Sequence, residues 1–176
     1  MRRSALLSVA LCVLSVFPAP TLMDAATVIP DKFFGRFVLE KSENFDEFLA
    51  AKGVNWFVRK MIQFASVTKV IAKNATSGYN LENLTSKKDT LYHGWKLGET
   101  FEAEGLDGNR HNITFEFKDD TLTEKHVRLN DPNDKGETYY YTIDSNDMLV
   151  LVRAIFQAVL VTCLVLLEML PFSMPF

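Results

Sequence analysis

Between Lys32 and Val152 the chain is cut into short runs rich in Thr, Val, Tyr and Phe, recurring about every ten residues and separated by Gly, Asp and Asn turns. Nine strands are predicted: Lys32–Glu40, Val67–Asn74, Tyr79–Thr85, Asp89–His93, Glu99–Glu102, Asn112–Lys118, Thr121–Leu129, Glu137–Ile143 and Met148–Val152. Regular short antiparallel strands imply a barrel or a sandwich. Alternation is clean in one run, where Ile113, Phe115 and Phe117 oppose Thr114, Glu116 and Lys118, and mixed in Val67–Ile71. A small up-and-down barrel around a cavity keeps aromatic and polar residues inside together, which blurs the pattern in this way.

One helical interruption is expected, after the first strand. Ser42 or Asn44 is placed to cap a helix with Phe45, Phe48 and Leu49 on one face, ending at Gly53. A second helix, from Val54 to about Ala65, gathers Val54, Phe57, Val58, Met61, Ile62 and Ala65 on one face and leaves Asn55, Arg59 and Gln63 outside.

The charges mark off the ends. Of 19 Lys+Arg and 22 Asp+Glu, all but Arg2, Arg3 and Glu168 lie between Asp24 and Arg153. The net charge of -3 argues against a reader of phosphate backbones. Two cysteines, Cys12 and Cys163, make no disulfide framework. Residues 1–25, with Arg2 and Arg3 ahead of an apolar run from Ala5 to Phe17, read as a secretory signal peptide cleaved at about 19–26. As an uncleaved anchor, the competing reading, that run is short for a bilayer. Secretion agrees with three N-x-[ST] sequons, at Asn74, Asn83 and Asn112, as candidate glycosylation sites. That leaves a single domain over residues 28–153 and an apolar tail, 154–176, which is marginal as a membrane span and too long and unalternating for a strand.

Gly35-x-Phe37-x-Leu39, followed by Asn44-Phe45-Asp46-x-Phe48-Leu49 and Gly53, resembles the N-terminal signature of the fatty-acid-binding proteins, of the calycin superfamily. Trp95-Lys96-Leu97-Gly98-Glu99-x-Phe101 is similar to a mid-barrel motif of the family, and Leu122-Thr123-Glu124 with Asp131-Pro132 resembles its secreted nematode branch. The likeness runs from about Ile29 to Arg153. It implies a mainly β fold, a ten-stranded antiparallel β-clam with a helix-turn-helix lid, that carries a long-chain fatty acid or retinoid outside the cell without a cofactor. It implies also that Phe45, Phe48, Trp56 and Phe57 line the portal or pack the lid. Lys52, Arg59 and Lys60 would offer that lid to an anionic membrane for transient contact, at about 1 kcal/mol each.

The resemblance fails at the ligand anchor. The family's usual Arg on the eighth strand is matched by Tyr141, and Thr162 and Leu164 fall where an Arg-x-Tyr pair belongs on the last strand. That strand is therefore expected to be replaced, leaving an open barrel with exposed edges. Three accounts of the tail stay open: an alternative exon or gene-model artefact with impaired ligand binding, a membrane or hydrophobic anchor for an interaction protein, or a repacked helix or strand that plugs the barrel. Two arginines are candidate substitutes: Arg153, in phase with Leu149 and Leu151 and near Tyr141, and Arg110, matching an interior Arg of some relatives. An enzyme has little support. His93, His111 and His126 are scattered and read as surface or strand residues, and neither a nucleophile motif nor a metal-binding pattern is present.

Overall fold

The computed structural model describes residues 28–155 and 158–168. A single 3-10 turn, Asp31–Phe33, precedes β1 (Gly35–Glu43), and two short helices, α1 (Phe45–Ala51) and α2 (Trp56–Ile62), follow it. Nine further strands complete the order: β2 (Val67–Lys73), β3 (Tyr79–Thr85), β4 (Thr90–Trp95), β5 (Thr100–Glu104), β6 (Arg110–Lys118), β7 (Thr121–Arg128), β8 (Glu137–Ile143), β9 (Leu149–Ile155) and β10 (Ala158–Glu168). They form one antiparallel sheet in the order β4-β3-β2-β1-β10-β9-β8-β7-β6-β5. The mainly β, ten-stranded clam with a helical lid is thus the observed fold. The leader assigned to residues 1–25 lies outside the described residues.

The expected open barrel is corrected by β10. Ala158–Glu168 pairs with β1, from Arg36 opposite Glu168 to Glu43 opposite Val161, and with β9, from Ala158 opposite Ile155 to Leu164 opposite Leu149. The edges of β1 and β9 are themselves the template, because each offers a row of N–H and C=O groups that a strand of any sequence can satisfy. Two register shifts in β1, at Arg36/Phe37 and Leu39/Lys41, absorb the strand's length. In this arrangement the segment is part of the wall; residues 169–176 lie outside the described residues.

Closure elsewhere is by side chains. β4 and β5 end the ladder order and share no ladder. The Tyr92 ring meets Phe101 at 5.8 Å, its hydroxyl donates to the Glu104 carbonyl at 3.2 Å, and Trp95 stacks on Phe115 at 3.8 Å. Beneath them Ile29, Phe33 and Phe34 plug one end, with Phe33 edge-on to Phe117 at 5.4 Å and Phe34 stacked on Tyr79 at 6.0 Å. The residues predicted to open the first strand, Lys32 to Phe34, belong to this plug. Asp119 and Asp120 both take positive φ, which makes the two-residue β6–β7 turn twist with its strands.

At the β2–β3 turn, a Cβ on Gly78 (φ +75°) would lie 2.3 Å from the Trp95 carbonyl oxygen. Both the left-handed backbone and the close approach demand glycine. Gly78→Ala is expected to lower stability by about 2 kcal/mol, read from the urea midpoint at unchanged slope; an unchanged midpoint would show that the turn yields freely.

Candidate functional site

Period-2 alternation aims one row of each strand inward, and on β7, β8 and β9 those rows stack in tiers. Leu122, Tyr141 and Leu151 are in register across the three strands, as are Glu124, Tyr139 and Arg153. Near the plug the interior is apolar; above it lies a ring of buried polar groups, and above that a charged tier under the lid.

The middle ring centres on Glu124, 3% exposed. Its carboxylate accepts from the Tyr141 hydroxyl at 2.5 Å and from His126 Nε2 at 2.7 Å. Because an ionised carboxylate only accepts, Nε2 carries the proton. Lys69, 7% exposed, donates to Tyr141 Oη at 3.1 Å and to Asn83, whose amide donates in turn to Thr90 Oγ1 at 2.9 Å. Burial alone would push the Glu124 carboxyl up; the His126 hydrogen bond and charge, then Lys69 and Tyr141, outweigh it and hold it down to about 2. Burial pushes the Lys69 ammonium down and the Tyr141 hydroxyl well up, the latter reinforced by Glu124. Within the ring the Lys69 ammonium faces the Glu124 carboxylate, whose charge also reaches Arg153 above it.

The upper tier is not balanced. Arg153, with a side chain 13% exposed, is sandwiched between the Phe48 ring of α1 at 5.0 Å and the Tyr139 ring at 4.5 Å. Its guanidinium pairs with Glu137, which also accepts from Lys52 Nζ at 2.5 Å. Arg153 Nε is buried with no hydrogen-bond partner among the described residues. Burial lowers Arg153 to about 10 and, with the Arg153 charge second, lowers Lys52 to about 8, so both are cationic at neutral pH. Beside them Arg128 donates twice to Asp107 Oδ2, at 3.1 and 3.0 Å, and Asp107 Oδ1 meets His111 Nε2 at 2.9 Å.

Arg153 therefore points inward, as its phase with Leu149 and Leu151 implies. Tyr141 is fully buried one rung deeper, with its hydroxyl committed to Glu124 and Lys69 rather than turned to Arg153. Arg110 does not face the interior: its side chain is 64% exposed and pairs with Glu102 at 3.0 Å, because β6 alternates and the inward positions belong to His111, Ile113 and Phe115. His111 and His126 are strand residues, but inward-facing ones that meet edge-on at 5.3 Å, not scattered surface groups. Lys69 and Glu137 escaped the sequence reading, which took Glu124 only as part of a motif and Lys52 only as a lid cation for a membrane, whereas Lys52 pairs with Glu137; a lysine among Val67, Val70 and Ile71, and Glu124 in phase with Leu122, were the available signals.

The lid departs from its predicted face. Phe48 and Leu49 are buried, with Phe45, Val54 and Ile62 packed on them, whereas Trp56, Phe57, Val58 and Met61 are exposed. Asp46 Oδ1 decides this, drawing Arg59 Nε at 3.3 Å, Lys60 Nζ at 3.4 Å and Gln63 Nε2 at 3.1 Å, so the polar side of α2 turns to α1 and the apolar side out. Helix ends agree better. Gly53 (φ +76°) closes α1 with Val54 N–H to the Leu49 carbonyl at 3.0 Å and Gly53 N–H to Ala50 at 2.9 Å. Asn44, not Ser42, precedes α1, in a left-handed conformation without a side-chain cap bond; α2 is capped by Asn55.

Of the sequons, Asn83 is ruled out by burial, since it serves the middle ring. The Asn74 side chain is half-buried, donating to Asn80 and accepting from Thr76 N–H, and Asn112 lies on the outward row of β6. Among the described residues no helix is long and apolar enough to cross a membrane.

No family model matches the chain. Individual proteins do. It is 68% identical over 131 residues to "Fatty acid-binding protein homolog 3" of Caenorhabditis elegans, covering 74% of this chain and 79% of that protein. It is 51% identical over 126 residues to "Fatty acid-binding protein homolog" of Ascaris suum, covering 69% and 76%. Among solved structures, "As-p18, an extracellular fatty acid binding protein" superposes with a TM-score of 0.74 at 44% identity, covering 78% of this chain and 98% of that one.

Proposed function

Because the chain belongs to the fatty-acid-binding protein family, we propose that it binds a long-chain fatty acid inside the barrel, with Arg153 as the cation that meets the ligand carboxylate. It is a carrier and not an enzyme, as are the binding proteins it is related to. The observation that carries the reading is the Arg153 guanidinium, buried under the lid with Nε unpartnered among the described residues. A buried carboxylate needs such a charged donor, and the positions where the family places its own hold Tyr141 and, opposite Leu151 and Leu149, Thr162 and Leu164. Burying the acyl chain contributes about 0.8 kcal/mol per CH₂. Phe45, Phe48, Trp56 and Phe57 border the entrance.

The function extends to extracellular transport: residues 1–25 direct secretion, and Asn112 is the sequon best placed for a glycan. Retinoids are the second ligand class. The exposed apolar side of α2, with Trp56 63% and Phe57 64% exposed, and Phe64 just beyond the helix at 88%, supports transient docking on a membrane during ligand transfer. Arg153→Leu is expected to weaken binding of 11-(dansylamino)undecanoic acid by 10- to 100-fold, the loss of one charge-assisted pair. Unchanged affinity in a fluorescence titration removes Arg153 as the anchor.

A further inference from the structure

The upper tier holds two inward cations and one carboxylate, and that ratio suggests what the carboxylate is doing there. Glu137 accepts from Lys52 at 2.5 Å and pairs with Arg153 at the same time. Lys52 is the C-terminal cap residue of α1, so the lid itself delivers the second cation, 24% exposed, to the mouth of the barrel. We propose that Glu137 is a resident stand-in for the ligand carboxylate: an entering long-chain monocarboxylate takes the Arg153–Lys52 pair, and Glu137 yields Arg153 to it. The inference rests on the fatty-acid reading above and adds Lys52 and Glu137 to the ligand site as its second cation and its internal competitor.

Three observations favour this seat over a deeper one. The middle ring is satisfied from within, with Tyr141 Oη already donating to Glu124 and accepting from Lys69. Glu124 is held ionised, so a carboxylate placed at the level of Tyr141 would meet like charge in a dry interior. Arg153 keeps a buried Nε–H free of partners among the described residues, and its plane is fixed by Phe48 and Tyr139, which presents the guanidinium edge for bidentate pairing. Glu137 sits opposite His126 on β7, at the rim end of β8, where its backbone is paired but its side chain has room to swing toward solvent at 27% exposure.

The consequence is selectivity for the acid head group, set by competition. Titrating the full chain with 11-(dansylamino)undecanoic acid and with its methyl ester separates head-group effects from tail burial. Glu137→Gln removes the competitor and is expected to tighten the acid about 10-fold while leaving the ester unchanged; Lys52→Met is expected to weaken the acid about 5-fold, again without effect on the ester. If Glu137→Gln leaves the acid no tighter, or tightens acid and ester alike, the stand-in role is overturned, and equal acid affinity in Lys52→Met overturns the lid cation even if the Glu137 variant does not fold. Failure of the wild-type protein to bind either probe is a different result, and strikes the fatty-acid reading itself.

Discussion

Glu124→Leu is expected to cost about 3–5 kcal/mol of stability at neutral pH, in the range for removing one partner of a buried ion pair. The carboxylate accepts from the Tyr141 hydroxyl and from His126 Nε2, and is the counter-charge of Lys69. Leucine strands those donors in a dry interior and leaves Lys69 with only Asn83 and Tyr141 to hold its ammonium. Lys69→Met/Glu124→Leu is therefore expected to recover part of the loss, because the unpaired charge goes with the lysine. The pH dependence is the sharper signature. Glu124 falls from 4.5 to about 2 on folding, so its contribution, roughly 3 kcal/mol, is fully present above pH 4.5 and fades as pH drops through about 2. Lys69 has the opposite sign. Its lowered value means the fold resists its charge at neutral pH and is relieved as pH rises. Urea unfolding of wild type and Glu124→Leu at pH 7, 4.5 and 3 checks this; a gap that does not narrow on acidification would sink it.

That ring also shows where sequence reasoning stops. Alternation along β6 put Ile113 and Phe115 inside because each strand decides its own faces locally, and Gly53 could be placed at a helix end because a left-handed cap is likewise local. The ring is different, since Lys69, Asn83, Glu124 and Tyr141 lie on four strands and meet only once register is set. Arg110, a candidate only through its match to an interior Arg of relatives, stands one residue before the inward His111, and in a strand one residue exchanges inside for outside. On α2 the 3.6-residue period identified the apolar side correctly but not its destination, which one carboxylate on another helix, Asp46, decides. β10 is the plainest case: its apolar sequence does not announce a strand, and the edges of β1 and β9, which lie far apart in the chain, supply the instruction.

Phe115→Ala is expected to cost about 3–5 kcal/mol, the range for truncating a buried aromatic to alanine. Phe115 is fully buried on β6 and carries the seam between the two ends of the sheet: it stacks on Trp95 of β4 at 3.8 Å and on Phe101 of β5 at 6.2 Å. Elsewhere around the wall, ladders on both sides of each strand would hold a cavity open at fixed width. Here β4 and β5 have no ladder between them, and rings do the bridging, so the walls are freer to move once the ring is gone. The same argument predicts where the damage appears. Amide exchange should accelerate first in β4 and β5, while β9 and the rungs of β7 and β8 around Glu124 stay protected, being held by ladders to both neighbours. Uniform acceleration across all strands would mean that Phe115 supports the core in general rather than the seam. A Phe115→Leu variant, which restores apolar bulk but not the stack, separates the two contributions: most of the stability should return relative to alanine, and the fast exchange at the seam should persist.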